Sequence, residues 1–351
     1  MWNLIKITTS ISKTVYIAGR WVGNYNYPNV IVHSVGHKNC RNIIIRSLKY
    51  VYLQTFLSYK IFTLSSRVNT WILFFGGEAL ILPILIGKFL NKNMIILFAG
   101  SIENEGIHRD EALYNVLGIF KKITCRLSTT LIVYSKSLIS FLNLEPYRHK
   151  ILIAHRHFLD FTTFTVTSPY HDRPNLIGYI GRLRGEKGVQ HFAEALPAIL
   201  SNNQDLRVLI GGDGQLKGAI EASLQDGSIA DRVDLPGWIS HDELPKYLNQ
   251  LRLLVLPSYT EGLPNIMLEA MACGTPVLAT PVGAIPDVIR DGETGFIMED
   301  NSPECIARNV MRALDHPDLE KIAERGRKFV EEEFTFEKVV ERWRGILKDI
   351  E

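Results

Sequence analysis

Short apolar runs alternate along the chain with stretches whose apolar residues recur at helical spacing. The runs at 71–75, 93–99, 131–134, 151–154, 176–180, 207–210, 232–235, 253–256, 276–279 and 295–297 predict strands. Between them, 189–200, 216–224, 242–250, 265–272 and 285–289 predict helices, and 135–144 a short helical stretch. The segment 71–89, WILFFGGEALILPILIGKF, tests for a membrane span. A spanning helix needs about 20 apolar residues without an internal charge, and here Gly76-Gly77, Glu78, Pro83 and Lys88 interrupt the run. The segment reads instead as strand, turn and helix, and with 93–99 it forms one βαβ unit. Strands alternating with helices over both halves predict an α/β protein of two doubly wound parallel-sheet domains, with the proline-bearing 168–174 (SPYHDRP) as linker. In such sheets ligands bind beyond the carboxyl ends of strands, so the loops after strands are where chemistry is sought.

The 351 residues are enough for about two domains, and 46% hydrophobic with 22% charged residues is ordinary for a folded protein. Cys40, Cys125, Cys273 and Cys305 are far apart, with no CxxC. That argues against a zinc site or a disulfide framework, and fits a reducing, cytoplasmic setting. The opening MWNLIKITTSISK is too polar for a signal peptide. Charge is unevenly spread. Residues 1–150 carry 18 Lys and Arg against 6 Asp and Glu, a formal +12, while 151–351 carry 21 against 31, a formal −10. The basic half suits an anionic membrane surface, nucleic acid, or its own acidic partner domain. No nucleic-acid motif accompanies the charge, so no nucleic-acid partner is expected.

Three loops carry candidate chemistry. Gly181-Arg182-Leu183-Arg184-Gly185-Glu186-Lys187-Gly188 follows the run 176–180. Two cations on a glycine-bearing loop that opens a helix suit a diphosphate, and the same residues would also make a solvated basic turn. Gly211-Gly212-Asp213-Gly214 either lets a ligand approach the backbone or makes a tight turn. The stretch 258–277, SYTEGLPNIMLEAMACGTPV, sets Glu261 in a loop and Glu269 on the following helix, which Pro264 or Asn265 begins. Two carboxylates beside a helix start are acceptors for sugar hydroxyls. The apolar LEAMA around Glu269 is no solvated face.

Glu261 and Glu269, with seven residues between them inside SYTEGLPNIMLEAMACGTPVLATPVGAIPDVIRDGETGFI, resemble the donor-binding signature of family-4 retaining glycosyltransferases of the GT-B fold, glycosyl transferases group 1. GYIGRLRGEKG and LIGGDGQL resemble that family's phosphate-contacting loops in the same order, and the resemblance runs over about 131–347. It implies two Rossmann-like domains facing a cleft: 1–167 on the acceptor side, 168–333 binding the donor, and a last helix in 334–351 crossing back to the first domain. It implies that Arg182 and Lys187 hold the donor diphosphate and stabilise the leaving group's charge. Glu269 would bind the ribose hydroxyls and Glu261 the donor sugar, with Gly262, Leu263, Pro264 and Asn265 contacting sugar and phosphate. Gly181, Gly212 and Asp213 would form donor-side loops, and the base would lie by Pro236-Gly237-Trp238. The reaction so implied moves a hexose-type sugar from a UDP- or GDP-sugar with retention, needs no metal or other cofactor, and uses the departing phosphate to deprotonate the acceptor.

The first half departs from the family pattern. Its opening has no clean strand, glycine-rich loop and helix. After the run 93–99, where relatives carry a histidine, stand Gly100-Ser101-Ile102-Glu103, with Ser101, Glu103 and nearby His108 as substitutes. His155 and His157 fall where the domains join, with packing the expected role. Arg41, Arg46, Lys49, Lys60 and Lys121-Lys122 among aromatics, with an amphipathic helix over 46–64, suit a peripheral position on a membrane. Such a face fits a glycan or lipid-linked acceptor. Two other readings remain: an accessory subunit that binds nucleotide sugar without turnover, and a sugar-nucleotide epimerase.

Overall fold

The structure, a computed structural model, describes residues 1–20, 28–36, 42–74, 76–99, 111–227 and 229–350. Cys40, Arg41, Ser101, Glu103 and His108 lie outside the described residues. The backbone divides into two compact units. Unit 1 comprises Met1–Ser135, Leu142–Arg156 and Phe336–Glu351, and unit 2 comprises Lys136–Phe141 and His157–Thr335.

In unit 1, β1 (Val15–Arg20) pairs in parallel with β2 (Val30–Val35). A second parallel sheet runs in chain order through β3 (Thr70–Phe74), β4 (Asn93–Phe98), β5 (Thr130–Val133) and β6 (Ile151–Ile153). β4 and β5 are buried almost throughout, which is why they read as unbroken apolar runs rather than alternating ones. The segment 71–89 resolves into β3, a 3-10 turn Gly77–Ala79 and the helix Ile81–Phe89, and β4 returns parallel to β3. Among the described residues no helix is long and apolar enough to cross a membrane. The opening without a clean strand–loop–helix begins with the helix Trp2–Ile11, and β1 follows it. Leu4, Ile5 and Ile7 are buried where that helix packs on the terminal helix Phe336–Ile350. Trp343 on the terminal helix is fully buried and its indole N–H donates to the His155 carbonyl at 2.9 Å. The amphipathic helix expected over 46–64 is Ile43–Thr63, started by Asn42, whose side chain accepts from the N–H groups of Ile44 and Ile45.

Unit 2 is built on one six-stranded parallel sheet: β7 (Leu176–Ile180), β8 (Arg207–Gly211), β9 (Val233–Gly237), β10 (Leu253–Leu256), β11 (Val277–Ala279) and β12 (Phe296–Ile297). Its spatial order is β12-β11-β10-β7-β8-β9. The chain builds outward from β7 to β9, then crosses back to lay β10 on the other side of β7. That reversal makes the β7/β10 seam the switch point of a doubly wound sheet, where the strand-end loops diverge and leave a crevice. The helix Val189–Ser201 follows β7 and Asn265–Ala272 follows β10, so both helices open toward that seam.

The proline-bearing stretch 168–174 is not the linker expected from its composition. After its short excursion at Lys136–Phe141 the chain returns to unit 2 at His157, and the residues that follow are tied into that unit. Asn249 accepts from the Thr167 N–H at 2.8 Å and donates to the Thr165 carbonyl at 3.0 Å. Arg173 is buried, donating to the carbonyls of Leu251 at 2.9 Å and Cys273 at 2.7 Å and to the Thr275 hydroxyl at 2.7 Å. An arginine with this many buried acceptors is a structural bolt. Arg173→Met is therefore expected to lower stability by about 2–3 kcal/mol, because acceptors that its charge satisfied become orphans. An unchanged chemical-unfolding midpoint would return this stretch to the status of a linker.

Candidate active site

The loop after β7 is fixed by its neighbours before any ligand is considered. The Gly181 N–H donates to the Gly211 carbonyl at 3.0 Å, the Leu183 N–H to the Asp213 carbonyl at 2.9 Å, and the Leu216 N–H to the Leu183 carbonyl at 3.0 Å. Tyr179, buried, reaches forward from β7 and donates its hydroxyl to the Arg182 carbonyl at 2.8 Å, and burial pushes that hydroxyl's pKa up. The loops after β7 and β8 are thus laced together. Gly212 sits between them at φ +137°, where a Cβ would lie 1.8 Å from the Gly181 carbonyl oxygen. The Gly212 N–H donates to the Gly237 carbonyl at 2.7 Å, bringing the end of β9 into the same lacing. Trp238 follows directly and is 75% exposed. Asp213 is exposed, and its carboxylate accepts from the Gly214 N–H at 2.8 Å.

On the other side of the seam, the 3-10 turn Gly185–Lys187 ends at Gly188, with φ +65° and no room for a Cβ against the Pro257 carbonyl. The Tyr259 N–H donates to the Glu186 carbonyl at 3.0 Å. This contact presses the loop after β7 against the loop after β10. Lys187 is carried to Glu261: Nζ lies 2.6 Å from Oε1, with both side chains mostly buried. Ser258, buried, donates its hydroxyl to the same Oε1 at 2.8 Å, and its own carbonyl accepts from the Thr280 hydroxyl at 2.5 Å. Both donors converge on one oxygen. Among the described residues Oε2 of Glu261 has no protein partner.

Glu269 stands on the helix Asn265–Ala272 and is buried. Its Oε1 lies 3.4 Å from Nε2 of His241, an exposed side chain whose ring meets Phe164 edge-on at 5.2 Å between centroids. Burial pushes the Glu269 carboxyl above its ordinary range, against the opposing pull of His241. No bond joins Glu269 to Glu261, and each has its own nitrogen partner. The helix start has no side-chain cap, so its first N–H groups remain open. Leu263 and Pro264 are buried, Asn265 is exposed, and the Gly262 carbonyl accepts from the Ala284 N–H at 2.7 Å. Among the described residues the Gly262 and Leu263 N–H groups have no protein acceptor.

The structure thus joins Gly181, Gly212 and Asp213 in one laced set and Lys187 with Glu261 in another, both at strand ends. Arg182 is half-exposed, with Glu186 at 3.9 Å. His155 is buried in unit 1, its Nε2 2.9 Å from Arg342, and His157 is buried in unit 2. Among the described residues no three His, Cys, Asp or Glu side chains are grouped to hold a metal. Sequence reasoning gave no role to Ser258 or His241. Ser258 opens the stretch that holds Glu261, and three residues is one turn's reach. His241 lies three residues beyond Trp238 in the loop after β9, a position that a search of strand-end loops would find.

Residues 162–329 match the family described as glycosyl transferases group 1. The alpha-D-kanosaminyltransferase of Streptomyces kanamyceticus is 31% identical over 180 residues, 51% of this chain and 46% of that protein. The N-acetyl-alpha-D-glucosaminyl L-malate synthase of Bacillus anthracis is 33% identical over 173 residues, 49% of this chain and 45% of that protein. The matched stretch therefore spans under half the length of each relative. Sucrose-phosphate synthase from Thermosynechococcus elongatus superposes with a TM-score of 0.77 at 18% identity, covering 98% of this chain and 90% of that one. The Anabaena protein HepE in complex with UDP superposes at 0.74 and 13% identity, covering 96% of this chain and 100% of that one. A sheet wound about the β7/β10 seam, a match over 162–329 and superposition along nearly the whole chain lead to one conclusion: the chain has the GT-B fold, and its residues 162–329 match the glycosyl transferases group 1 family.

Proposed function

We propose that the chain transfers a hexose-type sugar from a UDP- or GDP-sugar to a glycan or lipid-linked acceptor, with retention of anomeric configuration. The observation that carries the reading is the convergence of Lys187 and Ser258 on one oxygen of Glu261 beside the switch point. An open carboxylate oxygen and open N–H groups at Gly262 and Leu263 are complementary to a sugar that both donates and accepts hydrogen bonds. Lys187, beside that carboxylate, and Arg182, on the same loop, meet the donor diphosphate. Their charge counts most when the phosphate leaves, since negative charge then grows on its oxygens. Glu269 accepts from the ribose hydroxyls, with Gly181, Gly212, Asp213, Trp238, Pro264 and Asn265 lining the donor side. The departing phosphate takes the acceptor's proton. Arg182 and Lys187 supply the positive charge, so the reading needs no metal. The relative named a kanosaminyltransferase supports a sugar as the group that moves.

The test is thermal unfolding with a panel of UDP- and GDP-sugars, followed by product analysis with and without acceptor. At 100 times its dissociation constant a donor adds about 2.7 kcal/mol of stability. One donor is expected to give that shift, and Glu269→Ala to remove it. The raised pKa of Glu269 sets the pH dependence. Protonation removes its capacity to accept two hydroxyls, so the donor-induced shift is expected to fade on acidification at a higher pH than an ordinary glutamate would dictate. The unliganded fold responds in the opposite sense: the folded form holds this proton more tightly, so this group's contribution rises as pH falls through its folded pKa and is complete below the unfolded value. Binding without transfer or hydrolysis would make the chain an accessory subunit. An altered nucleotide sugar formed without acceptor would make it an epimerase. No shift with any donor would overturn the reading.

A further inference from the structure

Unit 1 carries three adjoining helices that turn apolar stripes away from the protein. The helix Ile43–Thr63 packs on Ile81–Phe89, which packs in turn on Glu111–Leu127. Their contacts are specific: Tyr50 donates its hydroxyl to the Ala79 carbonyl, Gln54 accepts from the Leu82 N–H at 3.0 Å, and Thr124 donates to the Glu78 carbonyl at 2.6 Å. On the first helix Ser58 and Ile61 are buried, while Ile44, Leu48, Val51, Tyr59 and Phe62 are all more than half exposed. Those five fall on one helical stripe, at i, i+4, i+7, i+15 and i+18, so the outward face of this helix is as apolar as its inward one. The pattern repeats on the neighbours with Leu82, Leu85 and Phe89, the last 86% exposed, and with Val116, Ile119 and Ile123. Scattered exposed apolar residues are normal, but a contiguous set on three packed helices marks an interaction surface.

The charges around the stripes choose the partner. Lys88, Lys122 and Arg126 are exposed beside the stripes of the second and third helices, and among the described residues none forms an ion pair. Ile43–Thr63 and Ile81–Phe89 contain no Asp or Glu, and Glu111 is the first residue of its helix. A second copy docking symmetrically would set cation against cation. Nucleic acid would satisfy the charge and leave the apolar stripes in water. A bilayer with anionic headgroups satisfies both, because apolar side chains enter the headgroup–acyl boundary while Lys and Arg hold the phosphates. We propose that the outer face of the helices Ile43–Thr63, Ile81–Phe89 and Glu111–Leu127 docks this chain on an anionic lipid bilayer, lying on it without spanning it. The inference goes beyond the donor-site reading and does not depend on it, since the face belongs to unit 1 and the donor site to unit 2.

The experiment is co-sedimentation of the full chain with phosphatidylcholine vesicles, with and without phosphatidylglycerol, at low and high salt. The chain is expected to bind the anionic vesicles at low salt and to lose most of that binding at high salt, since the Debye length falls from about 30 Å at 0.01 M to about 3 Å at 1 M. Leu85→Glu with Phe89→Glu is expected to weaken binding at least about tenfold, because each replaces membrane-inserted apolar surface with repelled charge. Lys88→Ala and Arg126→Ala are each expected to weaken it by about fivefold. All four sites are on the surface, so folding is preserved, and an unchanged response to nucleotide sugar in these variants separates this face from the donor site. A full chain left in the supernatant with anionic vesicles at low salt would overturn the proposal. So would equal sedimentation with neutral vesicles in high salt, or binding indifferent to Leu85→Glu with Phe89→Glu. A concentration-dependent dimer abolished by that pair would assign the face to a second copy instead.

Discussion

Lys187→Ala is expected to slow sugar transfer by about a hundred- to a thousandfold, the cost of removing one preorganised charge from a developing anion. The ammonium has a fixed address. Gly188, with no room for a side chain against Pro257, and the Tyr259–Glu186 backbone bond set the turn that carries Lys187, and Glu261 holds its Nζ at 2.6 Å. In the proposed transfer such a charge does not reorganise when the phosphate leaves, and its catalytic value would lie there. The loss is therefore expected mainly in kcat, with a smaller change in KM, because the leaving phosphate carries more charge in the transition state than in the bound donor. Lys187→Arg keeps the charge on a planar fork that Oε1 of Glu261, already shared with Ser258, receives poorly, and is expected to fall between the two. Folding should survive the alanine, since Ser258 still donates to Glu261. A variant with wild-type kcat would remove Lys187 from the reaction and leave the Glu261 pair as a structural bridge. Donor hydrolysis and acceptor transfer, measured separately, decide between these.

Much of this was legible in the sequence because β7, β8 and β10 are covered on both faces and so appear as unbroken apolar runs with their glycine-bearing loops directly after them. The doubly wound architecture follows from that pattern, and so does the expectation that chemistry lies in those loops. What periodicity does not encode is strand order. Lys187 and Glu261 are 74 positions apart and meet only because β10 lies beside β7 and not beside β9. The role of Ser258 was hidden for the same reason: its bond acquires meaning once Lys187 is known to reach the same oxygen. His241 beside Glu269 needs the loop after β9 folded over a helix that begins after β10, again a matter of order. The expected linker failed on a different ground. Proline content marks where a chain is stiff, and says nothing of whether an arginine in that stretch finds buried acceptors, as Arg173 does. In unit 1 the exposed stripe of Ile43–Thr63 is indistinguishable by sequence from a core-facing one, because both have a period of 3.6.

Gly212→Ala separates a ligand contact from a structural requirement, and the larger effect is expected on the fold. The sequence offers two explanations for this glycine, close approach of a donor or a tight turn, and they differ in the outcome when no donor is present. At φ +137° the backbone is in a region that side chains avoid, at a cost of about 1–3 kcal/mol. The added Cβ would also stand 1.8 Å from the Gly181 carbonyl oxygen, backbone against backbone, with no flexible side chain to yield. Relief requires the loops after β7 and β8 to move apart, straining the Gly181–Gly211 and Leu183–Asp213 bonds and the Gly212–Gly237 bond that ties in β9. Overpacking of this kind costs about 1–3 kcal/mol more. The unliganded variant is therefore expected to lose about 4 kcal/mol in chemical unfolding. Where it remains folded, donor affinity should fall as well, because Arg182 and Lys187 ride on the displaced loop. Unliganded stability equal to wild type, with donor affinity alone reduced, would show that the loops yield without cost and that glycine is there for the ligand. Loss of stability before any donor is added would show that the lacing of the three strand ends demands it.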